Sequence, residues 1–220
     1  MNKQRMNEQP CCEISCMEVT LLSEEALFQQ WLDRMPEYRR RKVLSMQFAE
    51  GQRLSLGVGI LLFQTLERRG IDGKHVEILE TEFGQPYFPQ YPEIHFSLSH
   101  AGSWAMCAVS RQPVGCDVER TGRGDERLAK YCFAPEELEA LGREKSRAAW
   151  DQQFTEIWTR KESYLKATGR GLSLQMKSFS SLASEEKVWY DEYPAAEGYV
   201  FSCCVLGDKP EHISRDIVRL

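Results

Sequence analysis

The chain has 220 residues, 42% of them hydrophobic and 28% charged, the make-up of an ordinary globular protein with room for one large domain or two of about 100 residues. Its 28 basic and 33 acidic residues leave a net charge of −5, which argues against binding nucleic acid through an overall basic surface. No apolar run approaches the roughly 18 residues of a membrane helix, and the polar start MNKQRMNEQP lacks signal-peptide features, so a cytoplasmic protein with no membrane partner is expected.

Alternation of apolar and polar residues over 12–22 predicts a strand. Ser23 is placed to cap a helix in which Leu27, Phe28, Trp31, Leu32 and Met35 recur at helical spacing, until Pro36 ends it. Four bases follow, Arg39, Arg40, Arg41 and Lys42, a solvated face unless the substrate is polyanionic. A helix is predicted over 53–69, stopped by Gly70 and the Asp72-Gly73 turn, then a short strand over 76–79. The segment 83–89, rich in Gly and Pro, reads as a loop. In residues 95–120, HFSLSHAGSWAMCAVSRQPVGCDVER, two alternating strands meet at Ala101-Gly102-Ser103 and a third segment ends in acids.

Gly122 and Gly124 mark a polar connection, and Pro135-Glu136-Glu137 is a favourable helix start. The strongest helix of the second half covers 154–168, followed by Gly169 and Gly171; strands are predicted near 176–182, 187–190 and 199–206. Both halves, 1–112 and 113–220, run long helix, glycine turn, short strand, hairpin. A repeat of this kind suggests a pseudo-dimer in one chain, a monomer, with its site in the cleft between halves. None of the eight cysteines forms a CxxC pair, so they read as small buried hydrophobes in a reducing compartment.

Asp117 and Glu119, one residue apart on a strand, project to the same side, and two like charges held together call for a cation. On the helix, Glu162 and Lys166 are i and i+4, close enough to pair, and Trp158 on that face suggests that the pair is turned inward. If Glu162 lies opposite Asp117 and Glu119, three carboxylates and one lysine converge, a set that suits Mg²⁺ shared with substrate phosphates. Lys161 reads as a solvated neighbour, and Glu137 as either a helix N-terminal charge or an acid near the site.

The segments FGQPYF (83–88), FSLSHAGSWAMCAVS (96–110), VGCDVER (114–120) and WTRKESYLKATGRGL (158–172), in this order and spacing, resemble the 4′-phosphopantetheinyl transferases of the larger, surfactin-synthetase-activating type. The resemblance implies an α+β fold of two similar halves related by a pseudo-twofold axis, with coenzyme A between them. It implies Mg²⁺, or Mn²⁺, held by Asp117, Glu119 and Glu162 on the coenzyme's pyrophosphate. A serine of an apo acyl or peptidyl carrier protein would attack the phosphate next to pantetheine, with adenosine 3′,5′-bisphosphate leaving. Glu162 is then the base for that serine and Lys166 steadies the leaving group. Ser99 and His100 match residues that touch the coenzyme's phosphates, and Arg40, Arg41 and Arg53 are expected near its 3′-phosphate. Gln85 departs from the family's lysine at a phosphate-contacting position, so Gln85→Lys is expected to lower the Michaelis constant for coenzyme A. Two alternatives remain at this point, a coenzyme-A-binding or carrier-docking protein without turnover and a different Mg²⁺-dependent enzyme acting on a nucleotide pyrophosphate.

Overall fold

The computed structural model of the chain describes residues 11–171, 174–183 and 186–220. The first ten residues, and Leu172 at the end of the last motif, lie outside these. The fold is α+β. Strand β1 (Cys12–Glu18) runs antiparallel to β5 (Trp104–Ser110) and parallel to β9 (Ile213–Ile217), and β5 pairs with β4 (His95–Ala101). The second sheet has the order β6 (Val114–Arg120), β8 (Tyr199–Leu206), β7 (Val188–Glu192), all antiparallel. In both sheets, therefore, the second strand of a late hairpin pairs with an earlier strand, β4-β5-β1 and β7-β8-β6. A two-residue ribbon joins β2 (Leu79–Glu80) to β3 (Pro86–Tyr87).

Three apolar clusters hold these layers. The helix α3 (Ala49–Arg68) packs Leu56, Ile60 and Leu61 against Met17, Cys107 and Val109 of the first sheet. The even-numbered residues of β1 and β6 face each other between the sheets, where Cys12, Ile14 and Cys16 meet Cys116, Val118 and Phe201. Under the third cluster, Phe133 and Phe154 join α4 (Glu126–Cys132), α5 (Pro135–Gly142) and α6 (Arg147–Thr168). All eight cysteines are free thiols; seven are buried and fill space, and burial pushes the Cys116 thiol up to about 12.

Several predicted elements are corrected. The first strand stops at Glu18, because Thr20–Ser23 turns into a 3-10 helix. Ser23 therefore caps nothing; α1 (Glu25–Arg34) has Glu24 at its N-cap, without a side-chain bond. The four bases after Pro36 lie in a helix of their own, α2 (Glu37–Leu44). Helices α3 and α6 start earlier than predicted, α6 behind Ser146, whose hydroxyl accepts from the Ala149 amide. The polar connection after Glu119 contains α4, capped by Asp125. No strand forms over 176–182 among the described residues; Met176–Ser178 is a 3-10 turn, and the Ser181 amide is taken by Glu137 Oε1 at 2.7 Å. A side chain has claimed the donor that a strand ladder would need.

Candidate active site

The site is built where one strand face meets one helix face. In β6 the residues Gly115, Asp117 and Glu119 share a face, opposite to the cluster-forming Cys116 and Val118. Helix α6 crosses this face so closely that a Cβ on Gly115 would lie 1.9 Å from the Ser163 carbonyl oxygen and 2.5 Å from the Ala167 amide. Glycine lets the helix backbone approach, and the approach carries Glu162 and Lys166 over Asp117. Gly115→Ala is expected to push the helix off the strand, costing at least about 2 kcal/mol of stability together with most of the activity. Denaturant midpoints and turnover check this; unchanged values would mean that the close approach is dispensable.

Lys166 occupies the centre. Its Nζ donates to Asp117 Oδ1 at 2.6 Å, to the Cys116 carbonyl at 3.1 Å and to Ser99 Oγ at 3.2 Å, which uses all three of its N–H donors. Burial works to lower this ammonium, but the Asp117 charge, with Cys116 and Glu162, outweighs it and holds Lys166 above its ordinary value. The i to i+4 pairing with Glu162 expected from the sequence is thus replaced by a pair with Asp117, whose side chain is more deeply buried. Asp117 Oδ2 is buried without a hydrogen-bond partner. Burial and then the Asp117 charge push the carboxyls of both Glu119 and Glu162 up, while Lys166 pulls them down. The three acids form one electrostatic group. Among the described residues, no three His, Cys, Asp or Glu side chains are assembled closely enough to hold a metal as they stand.

Ser99 and Ser97 sit on the free edge of β4. Ser99 Oγ donates to Asp117 Oδ1 at 2.8 Å, and Ser97 Oγ accepts from the Cys116 amide at 3.0 Å, so hydroxyls stitch the two sheets together where no ladder runs. His100 is exposed at the end of the same strand; packing around its ring lowers its pKa, and Lys166 and Arg39 add to this.

A cleft of about 760 Å³ opens beside the pair, lined by Arg39, Lys42, Gln85, Glu162 and Lys166, with Phe83, Phe96 and Leu98 as its apolar wall. Arg40 and Arg41 are not among its lining residues and pair instead with Glu37 at 2.8 and 3.1 Å. Arg53 lines a separate cavity with Arg120 and Tyr199. Of the basic run, therefore, Arg39 and Lys42 face the cleft. Arg39 is buried, donates to the Ser55 carbonyl, and has room because the residue beside its Nε is Gly59. Arg39 shares the buried face of α2 with Val43, four residues on, so one charge stands on the inward side of this helix.

Gln85 reaches the site from the β2–β3 ribbon, but its Nε2 donates to the backbone carbonyl of Lys166 at 2.9 Å. Lys161, read as solvated, is fully buried. Its Nζ pairs with Glu137 Oε2 at 2.6 Å and donates to the Phe179 carbonyl at 2.6 Å. Glu137 also accepts from the Ala134 amide at 2.7 Å, so it does cap its helix while serving as counter-charge. Trp158 stacks on Phe154 at 6.1 Å between ring centroids, a packing role.

Residues 113–202 match the 4′-phosphopantetheinyl transferase superfamily. Over 194 residues the chain is 33% identical to 4′-phosphopantetheinyl transferase Sfp of Bacillus subtilis (strain 168), covering 81% of this chain and 85% of that protein. It is 30% identical over 176 residues to 4′-phosphopantetheinyl transferase gsp of Aneurinibacillus migulanus, covering 75% and 73%. A further 4′-phosphopantetheinyl transferase of Bacillus subtilis is 38% identical over 128 residues, a match spanning 56% of this chain and about half, 55%, of that relative. The chain belongs to the 4′-phosphopantetheinyl transferase superfamily. It is a transferase of the Sfp-like kind. Among the described residues, no helix is long and apolar enough to cross a membrane.

Proposed function

We propose that the chain moves the 4′-phosphopantetheine group of coenzyme A onto a serine of an apo acyl or peptidyl carrier protein, releasing adenosine 3′,5′-bisphosphate. The observation that carries this reading is the buried, unpartnered Oδ2 of Asp117 beside two carboxyls of raised pKa. An acceptor buried without a donor is costly, and the Asp117 charge raises both neighbouring glutamates, a cluster that gains from added positive charge. Asp117, Glu119 and Glu162 therefore suit a divalent cation, Mg²⁺ or Mn²⁺, as its oxygen ligands. When bound, such an ion supplies charge neutralisation on a diphosphate.

The chain's own residues do the rest. Arg39 and Lys42 offer positive charge along the cleft to the coenzyme's phosphates, and the apolar wall of Phe83, Phe96 and Leu98 takes its less polar parts. Glu162, a cleft-lining carboxylate with a raised pKa, receives the proton of the attacking serine, directly or through water. Lys166, held above its ordinary value, stays charged and steadies the departing phosphate. Ser99 orients both Asp117 and Lys166 and acts on the substrate through them. The two halves, 1–112 and 113–220, are proposed to be related by a pseudo-twofold axis; the parallel strand orders β4-β5-β1 and β7-β8-β6 support this. Strand β9, from the second half, adds to the sheet of the first. Acidic carrier proteins would need a local basic or apolar patch, because the enzyme's own net charge is −5.

Incubation with coenzyme A, Mg²⁺ and an apo carrier domain tests the proposal by mass spectrometry. A gain of one phosphopantetheine on the carrier is expected, and Glu162→Gln should slow it by about 10²–10⁴-fold. Binding of coenzyme A without transfer, or cleavage of coenzyme A that ignores the carrier, would contradict it.

A further inference from the structure

We propose that Gln85 is a positioning residue that fixes Lys166 from its backbone side. The proposal rests on the reading of Lys166 as the residue that steadies the leaving phosphate, and it gives Gln85 a role that does not involve touching coenzyme A. Lys166 lies in the last turn of α6, two residues before Thr168, where helix carbonyls have no partner within the helix. The donor that fills this gap comes from the other half of the chain, Gln85 Nε2 at 2.9 Å from the Lys166 carbonyl.

Two further features make this a built contact. Gly169 ends the helix in the left-handed conformation, φ +67°, and a Cβ there would lie 2.0 Å from Gln85 Oε1, so the amide is seated against a glycine. Gln85 is itself held, since its carbonyl accepts from the Thr81 amide at 2.9 Å and its amide donates to Thr81 Oγ1 at 3.2 Å. At the opposite end of the same lysine, Nζ is anchored on Asp117, Ser99 and Cys116. Lys166 is thus tied at both ends, and the two residues of the backbone tie line the cleft. Without it the last turn of α6 can fray, and the ammonium moves with the backbone that carries it.

The test compares Gln85→Leu, which removes the donor, with Gln85→Lys, whose ammonium can donate to the same carbonyl and suits a helix C-terminus. For Gln85→Leu we expect kcat to fall about three- to tenfold, with KM for coenzyme A changed by less than about twofold. Hydrogen exchange across 165–171 in the free protein should accelerate, and Gln85→Lys should restore both kcat and protection. A rise in KM with kcat and exchange unchanged would overturn the proposal in favour of direct coenzyme contact. Faster exchange with unaltered kcat would also overturn it, because the tie would then be structural alone. Exchange needs no turnover: unchanged exchange in Gln85→Leu removes the tie itself, whereas a wild-type chain that transfers nothing removes the reading beneath it.

Discussion

Asp117→Ala is expected to lower kcat/KM for carrier modification by at least about 10³-fold, on the order of 4 kcal/mol of lost transition-state stabilisation. Asp117 is the acid on which the site's charges converge. It raises the carboxyls of Glu119 and Glu162, accepts from Lys166 and Ser99 through Oδ1, and leaves Oδ2 free of protein donors. Removing it also leaves the Lys166 ammonium beside a serine and a carbonyl with no bonded counter-charge. Asp117→Asn keeps the shape and removes only the charge, and it should lose nearly as much activity while its circular dichroism stays that of the wild type. Steady-state kinetics of both variants at saturating Mg²⁺ check this. Turnover near wild type in either would mean that Asp117 is not the anchor of the site.

Lys161→Ala should have the largest effect on stability. Lys161 and Glu137 are both fully buried, and removing one member of such a pair leaves a bare charge in the interior, which costs about 3–5 kcal/mol. For a chain of this size that corresponds to a fall in Tm on the order of 10 °C. The loss should spread beyond the pair. Glu137 Oε1 takes the amide and hydroxyl of Ser181, Lys161 takes the Phe179 carbonyl, and so the segment after α6 is pinned to α5 through these two side chains. Calorimetry on Lys161→Ala and on the double variant Lys161→Met/Glu137→Leu separates the parts. Because the double variant leaves no unpaired charge, it should recover much of the lost Tm; equal losses in both would mean that packing, not charge, is at stake.

How much of this was legible in the sequence follows from what kind of signal each element leaves. The hairpin at 101–104 and the strand Tyr199–Leu206 were readable because alternation and a glycine turn are local patterns, and both fall where they were predicted. Asp117 and Glu119 shared a face for the same reason of period two. The partner of Lys166 was not readable, because i to i+4 spacing only says what a lysine can reach along its own helix. Which acid wins was decided by the close approach at Gly115, a contact between residues far apart in the chain. The same limit hid the Lys161–Glu137 pair, since nothing local distinguishes a buried lysine from a solvated neighbour. The basic run was visible, but which of its members faces the cleft depended on the register of α2 against α3, set by Gly59 and Arg39. Gln85 is legible as a departure from the family's pattern, whereas its engagement with the Lys166 carbonyl is a contact between residues 81 apart in the chain.

That Asp117, Glu119 and Glu162 bind one divalent ion together with a diphosphate is the proposal on which the roles of the other residues rest. It is tested most directly with Mn²⁺ in place of Mg²⁺, by recording the phosphorus resonances of coenzyme A bound to the enzyme. Strong paramagnetic broadening of the two diphosphate signals is expected with wild type, and its loss with Asp117→Asn although coenzyme A still binds. Diphosphate signals that stay sharp with wild type, or that broaden equally in the variant, would contradict it.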